Sequence, residues 1–443
     1  MAPLPLASNR PWSWSLLAMA VGALCLLWPW ASAADRRAPL ADLGRLVVPG
    51  GLFLAVVAWA LLQSSSLLQD SWAASLSREA AAALGGPGAD SAPTFLQLAA
   101  ATGIMRLLCY AGVFWLAFQH GRSERRARWL VEAMAVAGFV YAVYGLAVFA
   151  SGNESILLMR KWAYPNSLTS TFVNRNTYAT YAGLTILCAI VAAARRIERP
   201  LRLRALLLHF RRPTILFAVT VPIIIVALLA SGSRAGTASL ILGVAVLVGT
   251  LRASTHPPGP DRRKVLLAGT AAVSGLFALL IGILLWPDAL DSDFSDRLRL
   301  WGLTLELIEQ RPWTGYGLGG FASAFAMIRP PDVVLLWTEA HNTYLELAVD
   351  LGMPAAAMLV ASVLWLVGMC MAGVMIRRRD AGYPALGVAA TALVGFHALF
   401  DFSLQIPGLT VVWAAILGVA VAQSYGTSVD RGDGGADRAP PEQ

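Results

Sequence analysis

Residues 214–251 read TILFAVTVPIIIVALLA, then SGSRAG, then TASLILGVAVLVGTL: two apolar runs joined by a short link, with Arg234 the sole charge in the stretch. A segment of about 20 apolar residues spans about 30 Å of hydrocarbon, and some are shorter where neighbours allow. Two such runs back to back, turning on small residues, read as a membrane hairpin. Working outward, similar runs lie at 14–34, 46–63, 95–119, 129–150, 177–194, 265–286, 353–376, 383–402 and 407–424, eleven in all. The composition agrees. The 443 residues are 57% hydrophobic and 14% charged, with a mean hydropathy of +0.62, too little polar surface for a water-soluble body of this size.

The expected fold is all-α: a polytopic membrane protein of 11–12 spans over residues 1–424, with residues 425–443 a disordered cytoplasmic tail. Cys25, Cys109, Cys188 and Cys370 stand singly in apolar runs, with neither disulfide nor metal spacing. The net charge of +8 follows from the loops and does not imply nucleic acid. Residues 35–45, 122–128, 195–212, 252–264, 377–379 and the tail hold 23 of the 34 Lys and Arg, which makes those loops cytoplasmic. The loops at 64–94, 151–176 and 287–342 then face the periplasm. An odd number of spans with a cytoplasmic tail puts the N-terminus outside, where Arg10 alone gives little support, so a further helix ahead of the first is expected.

Within the spans, Arg106 and Glu132 are the charges far from any end; each is read as either an interhelical ion pair or a functional group. Other polar residues gather at the periplasmic edge, whereas a transporter would hold more of them at mid-depth. Arg234 sits in the SGSRAG link, able to bind lipid phosphate or to hold a substrate phosphate beside helix-terminal amides. Asn174 and Arg175, in FVNRN at 172–176, either cap the fifth span or contact a ligand. Arg297, Arg299 and Trp301 begin a two-faced apolar helix ending at Gln310, followed by Arg311 and a series of glycines at 315, 317, 319 and 320. Those glycines lack the strand and Lys-Ser/Thr ending of a nucleotide loop. His341 and Asn342 precede another helix, where the helix dipole favours a neutral, proton-accepting imidazole; a satisfied surface histidine is the alternative. His397 and Asp401 are spaced to share a helix face, for packing or for substrate handling. No metal-ligand spacing is present. Without a metal, arginine would have to neutralise phosphate charge.

SGSRAG at 231–236, RLRLW at 297–301 with Arg311-Pro312 and GYGLGGF, His341-Asn342 with Gly352, and His397 to Asp401 together resemble the membrane O-antigen ligase and polymerase superfamily, in order over about 171–424. The resemblance implies a C-type glycosyltransferase-like membrane fold with a periplasmic helical loop at 287–342. It also implies a metal-independent inverting glycosyltransferase of the bacterial inner membrane, without cofactor. The donor would be an undecaprenyl-diphosphate-linked glycan and the acceptor a glycan, lipid A-core or protein. Carried over, Arg234 and one of Arg297 and Arg299 match positions that grip the diphosphate, and His341 matches the histidine that activates the acceptor. A repeat-unit polymerase or protein O-oligosaccharyltransferase is the alternative; a solute or bicarbonate transporter is the rival from another class.

Overall fold

The computed structural model describes residues 2–34, 43–65, 95–195, 212–256, 260–284, 292–335, 337–377 and 381–425. Most of the loops at 64–94 and 195–213, and the tail from 426, lie outside the described residues. Each of the eleven apolar runs is a helix: α1 (Pro11–Ala34), α2 (Val47–Ser64), α3 (Phe95–His120), α4 (Glu124–Ala150), α5 (Arg175–Ala194), α6 (Arg212–Ala230), α7 (Arg234–Thr255) and α8 (Pro260–Leu284), then, after three helices of the long loop, α12 (Met353–Ile376), α13 (Gly382–His397) and α14 (Pro407–Ala422). Among the described residues, eight of these are long and apolar enough to cross a membrane, and Val219–Ala230 and Pro407–Ala422 are shorter apolar helices. The run at 383–402 is cut short by five residues. Its helix stops at His397, because the chain turns through Ser403–Gln405 to enter α14 at Pro407.

α5 is the axis of the bundle, buried along nearly its whole length. Around it lie α4, α6, α7 and α13, while α14 runs along α3 and α12 packs on α2. Lipid gives helices no hydrophobic reason to associate, so close approach over small residues must bind them. A methyl on Gly418 of α14 would stand 2.4 Å from the Phe114 carbonyl of α3, and one on Gly387 of α13 would stand 2.4 Å from Ala420 of α14. Exposed Leu, Val, Met and Trp side chains on α1, α2 and α8 suit a lipid-facing surface.

The loop at 287–342, from residue 292 on, folds into α9 (Ser292–Gln310), α10 (Phe321–Ile328) and a strand-free return to α11 (Thr343–Leu351). It has its own apolar cluster, including Leu300, Leu307, Tyr316, Phe321, Phe325 and Val349. The glycine series seats it. Gly315, Gly317 and Gly319 have φ of +64°, +100° and +79°, Tyr316 and Gly317 donate their N–H to the carbonyls of Val349 and Asp350, and the Asp350 carboxyl accepts from Gly319 and Phe321 at 2.7 and 2.9 Å. These amides bind protein, so the glycines build a turn and not a phosphate cradle.

The links between helices sort to two ends. One end joins the start of α5, the α6–α7 link, the 292–343 segment and the α13–α14 link, through the contacts described below. The other joins Glu124 with Arg195, Arg377 and Gly121 with Gln423, and Arg45 with Tyr425. That is the alternation required of antiparallel spans, and the second end is the one drawn from the arginine-rich loops.

Candidate functional site at one end of the bundle

Asp401 is the hub. It follows the last turn of α13, its N–H still bonded to the His397 carbonyl, and it is completely buried. Its carboxylate accepts from Asn174 Nδ2 at 3.5 Å, from Asn176 Nδ2, and from the Phe402 N–H at 2.7 Å. Two basic side chains share its Oδ2 side: Arg297 Nη2 and His341 Nδ1 each stand 3.9 Å away. Burial works against the charge of Asp401, but His341 and Arg297 prevail and hold it below the usual carboxylate range.

Each partner has a local reason for its place. Asn174 is the N-cap of α5, its Oδ1 accepting from the N–H of Asn176 at 2.7 Å. Capping and site contact thus coexist, because the side-chain amide uses its oxygen for the helix and its nitrogen for Asp401. Arg297 leans from α9 to donate to the Phe400 carbonyl at 2.9 Å. Asn342 caps α11, accepting from Tyr344 and Leu345 at 3.1 and 3.2 Å. His341 therefore stands one residue ahead of the cap, at the helix start where the sequence places it. Its φ is +51°, and its ring lies edge-on between Trp337 and Phe402 at centroid distances of 5.1 and 4.8 Å.

The SGSRAG link lies beside this group. Ser233 caps α7 by accepting from Gly236 at 3.1 Å, and a methyl on Gly236 would meet Ala179 of α5 at 2.5 Å, so the two helix starts are pressed together. Arg175 lies near enough to Gly232 that an added methyl would be 3.7 Å from its Nη1; it also contacts Ser167 Oγ at 3.5 Å and the Tyr164 ring. Arg234 is the first residue of α7 with its side chain exposed, and the next residue, Ala235, packs in one cluster with Phe396, Phe400 and Trp301.

Not every residue singled out from sequence joins. Arg299 pairs with Asp332, both largely exposed, so of the two arginines Arg297 is the one brought to Asp401: in this helix, two residues on is a different face. Arg311 lies over the Tyr316 ring at 5.3 Å, beside the glycine turn. His397 is fully buried, and neither ring nitrogen has a hydrogen-bond partner among the described residues. Arg106 lies over the Trp14 ring of α1 at 3.8 Å, with Glu339 of the long loop as a nearby charge. The residues missed from sequence are Asn176, Trp337, Phe402, Glu339 and Glu346. Asn176 stood in the quoted FVNRN motif; the aromatics carried no signal, since their role depends on where His341 lands.

A cavity of about 1390 Å³ opens between α2, α3, α12, α13 and α14. Its walls are mostly apolar; Arg106, Glu339, Glu346 and Asp350 are among the polar residues that line it. Among the described residues no group of three His, Cys, Asp or Glu is arranged to hold a metal.

Residues 216–360 match the family described as O-Antigen ligase, the same stretch that carries the SGSRAG link, Arg297 and His341. The chain is also similar to a general O-oligosaccharyltransferase of Acinetobacter baylyi, 28% identical over 130 residues. That similarity covers 29% of this chain and 22% of the relative. Both matches support the superfamily resemblance drawn from the motifs.

Proposed function

We propose that the protein transfers a glycan from an undecaprenyl-diphosphate-linked donor to an acceptor hydroxyl at the periplasmic face of the bacterial inner membrane, as an O-antigen ligase. The observation that carries this reading is the convergence of Arg297, His341 and Asp401 beside the Arg175 and Arg234 helix starts, at one end of a bundle of membrane-spanning helices.

In this reading the diphosphate lies among Arg234, Arg175 and Arg297, where bidentate guanidinium groups and the amides at the start of α7 meet phosphate oxygens. The acceptor oxygen bonds to the anomeric carbon as the bond from that carbon to the phosphate oxygen breaks, and the diphosphate leaves with the electron pair. Attack opposite the leaving group inverts the centre. Charge grows on the diphosphate as the bond breaks, so the arginines stabilise the transition state more than the bound donor. The acceptor proton goes to His341. Its Nδ1 is turned toward Asp401, leaving Nε2 to take the proton, and the Asp401 carboxylate then faces an imidazolium. Asn174 and Asn176 keep Asp401 in place, with Arg311, Asn342 and His397 as structural support. The mechanism assigns no step to a metal or cofactor.

Similarity to a general O-oligosaccharyltransferase favours a second reading of the acceptor, in which the same site joins the glycan to a protein hydroxyl. A repeat-unit polymerase would use another lipid-linked glycan. One experiment separates these: purified protein in liposomes, given a lipid-diphosphate glycan with lipid A-core, a second lipid-linked glycan or a Ser/Thr peptide, followed by mass spectrometry of the product. Glycan appearing on none of the three would defeat the proposal.

A further inference from the structure

Both backbone polar groups of Ala340, the residue before His341, are held by side chains. The Ala340 N–H donates to Glu346 Oε2 at 2.7 Å, and its carbonyl accepts from Trp301 Nε1 at 3.0 Å. The residue that follows has a φ of +51°, a left-handed conformation that few residues adopt and that His visits more readily than most; in a packed site its surroundings hold it there. Beyond His341 the chain is fixed again: the Thr343 N–H donates to the Ala398 carbonyl at 2.8 Å, and its hydroxyl to the Asp401 carbonyl at 3.1 Å. His341 is thus a strained residue between two anchored peptides.

Glu346 is a buried carboxyl on α11, and it is hydrogen-bonded to the half-buried Glu339. Two adjoining carboxyls out of water do not both ionise. Burial first, and then the Glu339 charge, hold Glu346 well above the usual carboxylate range. A proton shared by the pair lets one carboxyl donate to the other, while the second Glu346 oxygen accepts from Ala340. Glu339 is also raised by burial, and Arg106 of α3 opposes that rise.

We infer that Glu346 and Trp301 are positioning residues, which hold the Ala340 peptide and through it set the backbone conformation that aims His341 between Trp337 and Phe402. This rests on His341 acting as the proton acceptor of the proposed reaction. Neither residue touches substrate. Both act through His341, so their effects vanish when its imidazole is gone, as for groups that work as a unit.

The test uses the full chain in liposomes with a lipid-diphosphate glycan. Glu346→Ala and Trp301→Phe each lower kcat by about tenfold to a hundredfold, the scale of a misplaced catalytic group, with the donor KM unchanged. Glu346→Gln retains most of the turnover, because an amide still accepts from Ala340 and still hydrogen-bonds to Glu339. In a His341→Ala background, Glu346→Ala and Trp301→Phe lower the residual rate no further. Equal losses in both backgrounds, or a Gln variant as poor as the Ala variant, overturn the inference. A second readout needs no transfer: the rate at which diethyl pyrocarbonate modifies His341, followed by mass spectrometry, rises in Glu346→Ala and Trp301→Phe. Unchanged rates in both overturn the inference as well. If the parent protein transfers no glycan, the proposed function falls, and the labelling still decides the positioning.

Discussion

Arg234 and His341 divide the proposed chemistry between charge and proton. A lysine at 234 would keep the charge and lose the planar fork, so Arg234→Lys should fall by about a hundredfold in kcat, the cost of one transition-state donor. Steady-state transfer at matched protein level is the measurement, and full activity would remove Arg234 from the clamp. His341→Ala should lose about 10² to 10⁴ in turnover while still binding the lipid-linked donor. His341→Gln keeps a hydrogen-bonding group without proton uptake. A Gln variant as slow as Ala indicates base catalysis; near-normal turnover in both reduces His341 to a loop residue; and loss of donor binding in both moves it to the diphosphate site.

The glycine turn between α9 and α10 is the element that seats the long loop against α11, and it is sensitive to a single methyl. Gly352 has a φ of +77°, and a Cβ there would stand 2.4 Å from the Trp313 carbonyl. Gly352→Ala should therefore cost about 1–3 kcal/mol from the backbone alone, seen as a lower unfolding temperature in detergent. Gly368→Ala, in open space on α12, serves as the control and should leave it nearly unchanged. The same turn carries a pH dependence. Burial pushes the Asp350 carboxyl up to about 7, its bonds from Gly319 and Phe321 opposing the rise. In the unfolded chain it titrates near the ordinary value of about 4, so between about pH 4 and pH 7 the native state holds a proton that the unfolded state has released. This contribution to stability is fully present below about pH 4 and is lost as pH rises through the folded value. Asp350→Asn should flatten that part of the profile of unfolding temperature against pH; an unaltered slope would assign it to other groups.

For the molecule as a whole, the separation of the two ends makes the topology testable. The end holding Asp401 and His341 should be periplasmic, and the end holding Arg195 and Arg377 cytoplasmic. The native cysteines are buried or half-buried, so a cysteine at Val334, which is 86% exposed, gives a clean report. A membrane-impermeant maleimide should label it in intact spheroplasts, and a cysteine in the loop at 195–213 only after lysis. Labelling of 195–213 from outside would invert the orientation and with it the proposed site of transfer.

The eleven helices were legible because hydrocarbon imposes a length and an apolarity that few other settings demand of a chain, and each of the runs read from residues alone is a helix. The alternation of arginine along the loops forecast which links gather together. FVNRN, SGSRAG, RLRLW and HNTYLE were visible as polar interruptions in an apolar chain, where each polar group needs a reason. Their arrangement was not visible. Sequence spacing allowed either Arg297 or Arg299 at the site, and only the packing of α9 on Phe400, through Trp301, turned Arg297 inward and left Arg299 to Asp332. The cap of α11 fell to Asn342, and His341, one residue ahead, took a left-handed backbone held by groups from α9 and α11. Periodicity reports the faces of a helix. Which faces meet, and how a residue between two helices is held, depend on contacts among segments tens to hundreds of residues apart, and those the tertiary structure decided.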